Sequence, residues 1–165
     1  MAAEQREDLV ERLHEDTQKW EGQELEFMED FPTQASDIAK EIAAFAASNP
    51  GTIYVGVAED RSIVGISTPR DSIQNRIAGI CQKTVKPAIV ISLDFIEVED
   101  KLVVKINVPK GSSPVYYSNN IPYLRNLTVS EPATPDQVTE LHRKRIYSEI
   151  AAMERFGSTG PSFQL

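Results

Sequence analysis

Residues 38–57 read IAKEIAAFAASNPGTIYVGV, and they join two different kinds of element across a short break. In the first half, Ile38, Ile42 and Phe45 recur at helical spacing among small alanines, which predicts a helix that packs closely against a neighbour. The Asn-Pro-Gly sequence that follows should end this helix. The run TIYVGV at 52–57 is almost continuously apolar and largely β-branched, which predicts a central strand buried on both faces.

The residues before this segment predict one helix and one strand. A helix is expected over 4–20, because the apolar residues there share one face and the other face is charged. A half-buried strand is expected over 23–29, where Leu25 and Phe27 alternate with charged side chains. Ser36 is expected to be the N-cap of the alanine-rich helix.

The residues after the segment predict a short return strand, a second amphipathic helix, an antiparallel hairpin, further short strands and a last helix with Thr134 as its N-cap. The expected ranges are 63–66, 70–86, 88–99, 101–109, 115–118, 122–129 and 134–156. This order of elements predicts a mixed α+β fold with a largely antiparallel sheet and helices packed on it.

Composition indicates one domain of ordinary size. The 165 residues are 41% hydrophobic and 25% charged, so the chain can bury a core of its own. The single cysteine, Cys81, cannot form an internal disulfide. The acidic N-terminus lacks the apolar core of a signal peptide, and no apolar run is long enough to span a membrane. We therefore expect a cytoplasmic protein without a membrane partner.

Four stretches, taken in order, resemble the Schlafen-type AlbA domain, a family of nucleic-acid-binding domains some of whose members cut RNA. They are EGQELEF at 21–27, IAKEIAAFAASNPGTIYVGV at 38–57, EDRSIVG at 59–65 and PYLR at 122–125. Three positions depart from the family pattern: Met28 stands where lysine is usual, Pro50 where glycine is usual, and Leu127 where glycine is usual.

The resemblance covers roughly 21–133 and implies an α+β core domain over that range. The remaining residues would then be an N-terminal amphipathic helix over 1–20, a C-terminal helix over 134–156 and a flexible tail over 157–165. Family members are associated with transcriptional regulators and with RNA processing. The resemblance also implies that two copies pair, so a homo-oligomer is expected.

Four carboxylates are candidates for a metal site. Glu21 and Glu26 flank the start of the first strand, and Glu59 and Asp60 follow the buried strand. If the two strands are neighbours, these carboxylates would meet at one edge of the sheet, where they would attract Mg²⁺ or Mn²⁺. The resemblance implies that Glu21, Glu26 and either Glu59 or Asp60 match the catalytic acidic trio of nucleolytic members, with Glu21, Glu26 and Asp60 as metal ligands. The alternative is an ordinary solvated acidic surface.

Four other residues are candidates for binding nucleic acid. Arg125 could hold a phosphate while Tyr123 stacks on a base, or Arg125 could simply pair with acidic neighbours. Lys105 and Lys110 on the hairpin could line a backbone-tracking groove, or they could belong to its wet face. Because the formal net charge is −8, binding must rest on particular residues and not on bulk charge.

Three functions remain open on the sequence: binding of RNA or DNA, association with another protein or a second copy, and metal-dependent cleavage of RNA. ATP hydrolysis is not supported, because the glycine before the strand lacks the GxxxxGK[ST] context of a phosphate-binding loop. Zinc is not expected, because neither of the two histidines has a ligand-spaced partner.

Overall fold

The alanine-rich helix and the apolar strand both form, and they lie at the centre of the fold. The computed structural model describes residues 2–157. Its helices are α1 Ala3–Thr17, α2 Ala35–Ala47, α3 Arg70–Gly79 and α4 Pro135–Gly157. Its strands are β1 Leu25–Met28, β2 Gly51–Val55, β3 Val85–Lys86, β4 Ser92–Val98, β5 Lys101–Val108, β6 Tyr117–Ser118, β7 Ile121–Asn126 and β8 Val129–Pro132. A π-helical turn, Ile80–Thr84, joins α3 to β3.

The strands form two four-stranded sheets. The first has the order β1-β2-β5-β4, in which β1 is parallel to β2 and the other pairs are antiparallel. The second has the order β3-β6-β7-β8 and is antiparallel throughout. The predicted α+β class with largely antiparallel pairing is therefore confirmed, although the strands divide between two sheets.

Helix α2 lies between the two sheets, which explains why it is apolar almost all round. Its residues pack with the inner sides of β2 and β5 on one side and with Val85, Tyr116 and Tyr123 of the second half on the other. Helix α1 covers the opposite face of the first sheet, where Leu13 is fully buried near Tyr54. The layers are thus α1, first sheet, α2 and second sheet.

Two predicted turns form with the expected chemistry. The two-residue loop between β4 and β5 places Glu99 and Asp100 at φ values of 53° and 58°, which is the arrangement of a tight hairpin turn. At the start of α4, the Gln137 N–H donates to Thr134 Oγ1 at 3.2 Å, and the Thr134 N–H donates to Gln137 Oε1 at 2.8 Å. This reciprocal pair confirms Thr134 as an N-cap.

Three local expectations were wrong. Helix α2 begins at Ala35 without a side-chain cap, so Ser36 is not its N-cap. The predicted return strand reduces to a single bridge between Val57 and Ile63, because Gly56 and Gly65 cross closely there, both with positive φ. The second long helix stops at the π-helical turn, after which the chain is already extended.

Helix α4 carries exposed apolar side chains along its second half: Ile146, Tyr147, Ile150, Met153 and Phe156. No helix among residues 2–157 is long and apolar enough to cross a membrane. Most of the predicted flexible tail lies outside the described residues.

Candidate functional site

A groove of about 870 Å³ opens at one end of the first sheet. Its walls are the C-terminal half of α1, the first residues of β1, β2 and β4, and the last residues of β5. The charged side chains that line it are Arg12, Glu15, Asp16, Lys19, Glu24 and Lys105. Three positive and three negative groups therefore balance, whereas the whole chain carries −8.

Lys105 lies on the floor of this groove. It is in β5 between Tyr54 of β2 and Asp94 of β4, and only 7% of it is exposed. Its Nζ is 6.0 Å from the centroid of the Tyr54 ring. No carboxylate among the described residues is within 4.0 Å of that nitrogen. Burial, and then repulsion from Arg12, lower the pKa of the Lys105 ammonium.

Asp16 is the best-satisfied carboxylate of the groove. Tyr54 donates its hydroxyl hydrogen to Asp16 Oδ2 at 2.7 Å, and Lys19 Nζ lies 2.9 Å from Asp16 Oδ1. Burial and this hydrogen bond raise the pKa of the Tyr54 phenol, which keeps it a donor. Asp16 makes its direct contacts with these two groups and acts on the Lys105 ammonium, as Asp94 does, only at longer range.

Arg12 is the second cation of the groove with no ion pair among the described residues. It is exposed and lies one helical turn before Asp16 on α1. The groove thus holds two cations, Arg12 and Lys105, whose charges are not matched by a contacting carboxylate.

Trp20 is next in the chain to Lys19, which lines the groove, although Trp20 itself does not line it. It is the only tryptophan of the chain and is 90% exposed. Val90, which lines the groove, is 87% exposed. Tryptophan is among the residues enriched at contact sites on protein surfaces.

Arg125 has a different environment, because its guanidinium is buried and fully bonded. Its Nε donates to Gly22 O at 2.9 Å, and its Nη2 donates to Leu25 O at 3.2 Å and to Glu26 Oε2 at 2.6 Å. Its Nη1 donates to Glu41 Oε2 at 2.7 Å and to Ser130 Oγ at 3.2 Å. Guanidinium has five N–H donors, so these five bonds leave none for a phosphate.

Of the two roles that the sequence left open for Arg125, the structure therefore has pairing with acidic neighbours. The guanidinium also lies 4.8 Å from the centroid of the Phe45 ring, and the Ser130 hydroxyl donates to Glu41. Burial raises the pKa of the Glu26 carboxyl to about 7, against the opposing effect of Arg125 and with repulsion from Glu41 adding to it. One guanidinium therefore pairs with two carboxylates, the buried Glu41 and the half-buried Glu26.

The four predicted acidic residues do not come together. Glu21 Oε1 accepts the Phe27 N–H at 3.1 Å, on the outer edge of β1. Glu59 and Asp60 lie in the turn beyond β2. Because β1 and β2 are parallel, that turn is next to the residues that follow β1, such as Glu29, and not those that precede it.

Within residues 2–157, no group of three or more carboxylate, histidine or cysteine side chains could hold a metal ion. The predicted convergence is therefore wrong for the described part of the chain, because parallel strands put the two acidic pairs at different ends. The catalytic and metal-binding roles assigned to Glu21, Glu26, Glu59 and Asp60 stay predictions.

The other predicted nucleic-acid contacts are divided. Lys105 lies in the groove, whereas Tyr123 is half-buried against the core around α2. Lys110 is exposed and follows Pro109, which lines the end of the groove.

Sequence reasoning missed Arg12, Lys19, Trp20 and Glu41. Arg12, Asp16 and Lys19 recur at i, i+4 and i+7, which is the spacing of one helical face, although α1 itself ends at Thr17. That spacing could have identified these three residues, but the local sequence does not show that they lie at the end of the first sheet. Glu41 sits in an apolar helix, where a lone acidic residue is itself a signal of a buried partner.

Comparison with known proteins identifies a family over nearly the same residues as the resemblance seen in the sequence. The family model described as "Schlafen, AlbA_2" matches residues 21–134. The DIP2311 protein from Corynebacterium diphtheriae is 18% identical with a TM-score of 0.55, and the match covers 84% of this chain and 29% of that chain. The chain thus spans less than a third of that protein, and at this identity the likeness shows the fold alone.

A second solved structure is the N-terminal domain of a RecG-related protein from Nitrosomonas europaea, determined in solution by NMR. It is 18% identical with a TM-score of 0.49, and the match covers 74% of this chain and 89% of that chain. No curated protein matches this chain significantly.

Proposed function

Because this chain belongs to the Schlafen AlbA_2 family, we propose that it is a nucleic-acid-binding domain and that the groove beside α1 receives the nucleic acid. The observation that carries the proposal is the pair of cations in that groove, Arg12 and Lys105, neither of which has an ion-pair partner among the described residues. Neither cation contacts a carboxylate, so each can form a charge-assisted contact with an incoming phosphate.

Lys105 would be the central contact. The residue is 7% exposed and lies on the groove floor, so its stem is buried while the ammonium faces the groove. Arg12 lies on the wall and can hold a phosphate oxygen with its fork of donors. Lys19 contributes less, because its charge is already matched by Asp16 at 2.9 Å.

The charge of the whole chain limits how tight the binding can be. At −8, the domain repels a polyanion at long range, while the balanced lining of the groove does not. If a single strand is bound by two unpaired cations, the slope of log K against log salt concentration should be about −1.4. A domain that tracks a long backbone with many lysines would give a much steeper slope.

The test is fluorescence anisotropy with an end-labelled single strand of about 12 nucleotides, made as RNA and as DNA, at low salt. Lys105→Met keeps the apolar stem and removes the charge, and we expect it to weaken the Kd about ten-fold. Arg12→Met should act in the same direction. Lys83→Met is the matched control, because Lys83 is an exposed lysine outside the groove.

Equal losses in the Lys83 and Lys105 variants would mean that only net charge matters, and this would count against the groove. Absence of binding to any RNA or DNA strand at micromolar protein would contradict the proposed function. The predicted homo-oligomer stays a prediction, which light scattering on the same samples would measure.

A further inference from the structure

We infer that the groove takes single-stranded nucleic acid and that Trp20, at its side, stacks on an unpaired base. This inference rests on the proposed function and names its substrate class. Three observations support it: Trp20 is exposed, the backbone around it is held by hydrogen bonds, and the groove offers only two cations without an ion pair.

The indole is presented to solvent on a segment that is itself held in place. On one side, the Lys19 N–H donates to Asp16 O at 3.0 Å, at the end of α1. On the other side, the Gly22 N–H donates to Leu25 O at 3.1 Å, and Gly22 O accepts from Arg125 Nε at 2.9 Å. Trp20 thus lies between two fixed points, and a ligand does not have to order a free loop to reach it.

Trp20 is 90% exposed, and its indole packs against neither hydrophobic cluster of the described residues, so the fold does not explain why a tryptophan stands there. Every base has a π-face, so an exposed aromatic ring at the side of a groove that holds cations can bind a single strand without reading its sequence. Lys19, whose side chain lines the groove, immediately precedes Trp20 in the chain.

A duplex fits these features less well. Its bases are stacked on one another, so Trp20 could not reach a base face without unpairing. A duplex also draws most of its affinity from many phosphate contacts, whereas the groove offers two unmatched cations, Arg12 and Lys105, in a chain of charge −8. The stacking contact compensates for the few phosphate contacts only when the bases are free.

The uniqueness of Trp20 makes the test direct, because all tryptophan fluorescence of the chain comes from this residue. The full 165-residue chain is titrated with an oligothymidylate of about 12 nucleotides, with an abasic strand of the same length and phosphate count, and with a duplex. We expect the oligothymidylate to quench the fluorescence with the Kd found by anisotropy. The abasic strand should not quench it and should bind about ten-fold more weakly.

Two variants complete the design. Trp20→Ala should weaken the oligothymidylate about ten-fold and leave the abasic strand unchanged, while Trp20→Phe should keep most of the affinity because the ring remains. Both are expected to fold, since the side chain is exposed, and thermal unfolding by circular dichroism checks this.

The outcomes separate the two proposals. If the abasic strand and the duplex bind as tightly as the oligothymidylate, and Trp20→Ala changes nothing while Lys105→Met still weakens binding, the stacking inference is overturned and the proposed function stands. If no strand binds, the proposed function fails, and Trp20 is then better explained as a contact for a protein.

Discussion

Arg125 and Lys105 are almost equally hidden from solvent, at 5% and 7% exposure, yet their surroundings differ completely. Arg125 donates five hydrogen bonds, two of them to carboxylates, whereas the Lys105 ammonium has the Tyr54 ring 6.0 Å away and no carboxylate within 4.0 Å among the described residues. A buried charge is costly unless it is paired. Burial alone therefore does not identify the role of a cation; its partners do, and we interpret Arg125 as structural and Lys105 as ready for an anion.

The largest expected effect comes from removing the paired cation. Arg125→Met leaves Glu26 and Glu41 facing each other without a counter-charge, and should lower the free energy of unfolding by about 3–5 kcal/mol. Urea denaturation measures it. Arg125→Lys keeps one charge but cannot make all five bonds, so an intermediate loss is expected. An unchanged midpoint in Arg125→Met would contradict the structural role.

The next effect is a pH dependence from Glu26, whose pKa is raised from 4.5 to about 7 by burial. Between these values, the folded chain keeps a proton that the unfolded chain has lost, so the stability is full below the lower pKa and falls as the pH rises through the upper one. We expect Glu26 to contribute a decrease on the order of 1–3 kcal/mol over this window.

Glu26→Gln isolates that contribution, because the amide cannot titrate and its oxygen can still accept from Arg125. The variant should lose less stability than the parent chain between acid and neutral pH, as measured by urea denaturation across the range. Parallel stability curves for the two chains would show that Glu26 titrates normally.

A smaller effect is expected on the groove side. Tyr54→Phe removes the 2.7 Å hydrogen bond to Asp16 and should cost about 1–2 kcal/mol in the free energy of unfolding. Tyr123→Phe is the matched control, because the Tyr123 hydroxyl makes no hydrogen bond with a described residue. A loss of the same size in both variants would mean that the Asp16 contact contributes nothing specific.

The smallest expected effect on stability is that of Lys105→Met, and it bears most directly on the comparison of Lys105 with Arg125. Lys105→Met removes a buried charge without a partner, so the free energy of unfolding should stay the same or rise by up to about 1 kcal/mol. A loss near that of Arg125→Met would mean that Lys105 has a structural partner in solution. It would then be a poor candidate for a phosphate contact.

Much of the fold could be predicted because the patterns are local. The 3.6-residue repeat of α2, the β-branched run of β2 and the capping box at Thr134 each reflect contacts within a few residues. The prediction for Ser36 was wrong because the sequence alone does not distinguish a serine at the N-cap from a serine one position inside the helix. The resemblance to the family, carried by ordered motifs and not by any single one, was confirmed over most of the chain.

The functional residues could be located only in part. Lys105 was a candidate from its hairpin, but its burial and its lack of an ion pair depend on α1 covering the sheet. Arg125 was open between two roles because its partner Glu41 is 84 residues away in the chain. The predicted convergence of the four carboxylates was wrong because the sequence shows two strands but not that they are parallel. Parallel pairing places Glu21 and Glu26 away from the end of the sheet where Glu59 and Asp60 lie.

Residue patterns thus established the fold class, the order of the elements and the chemistry of the turns, because these follow from interactions between near neighbours in the chain. Packing decided which charges meet, which remain unmatched and which aromatic ring stays in solvent. The physical reason is that the energy of a charge or of an indole depends on everything that surrounds it, and most of that surrounding comes from residues far away in sequence.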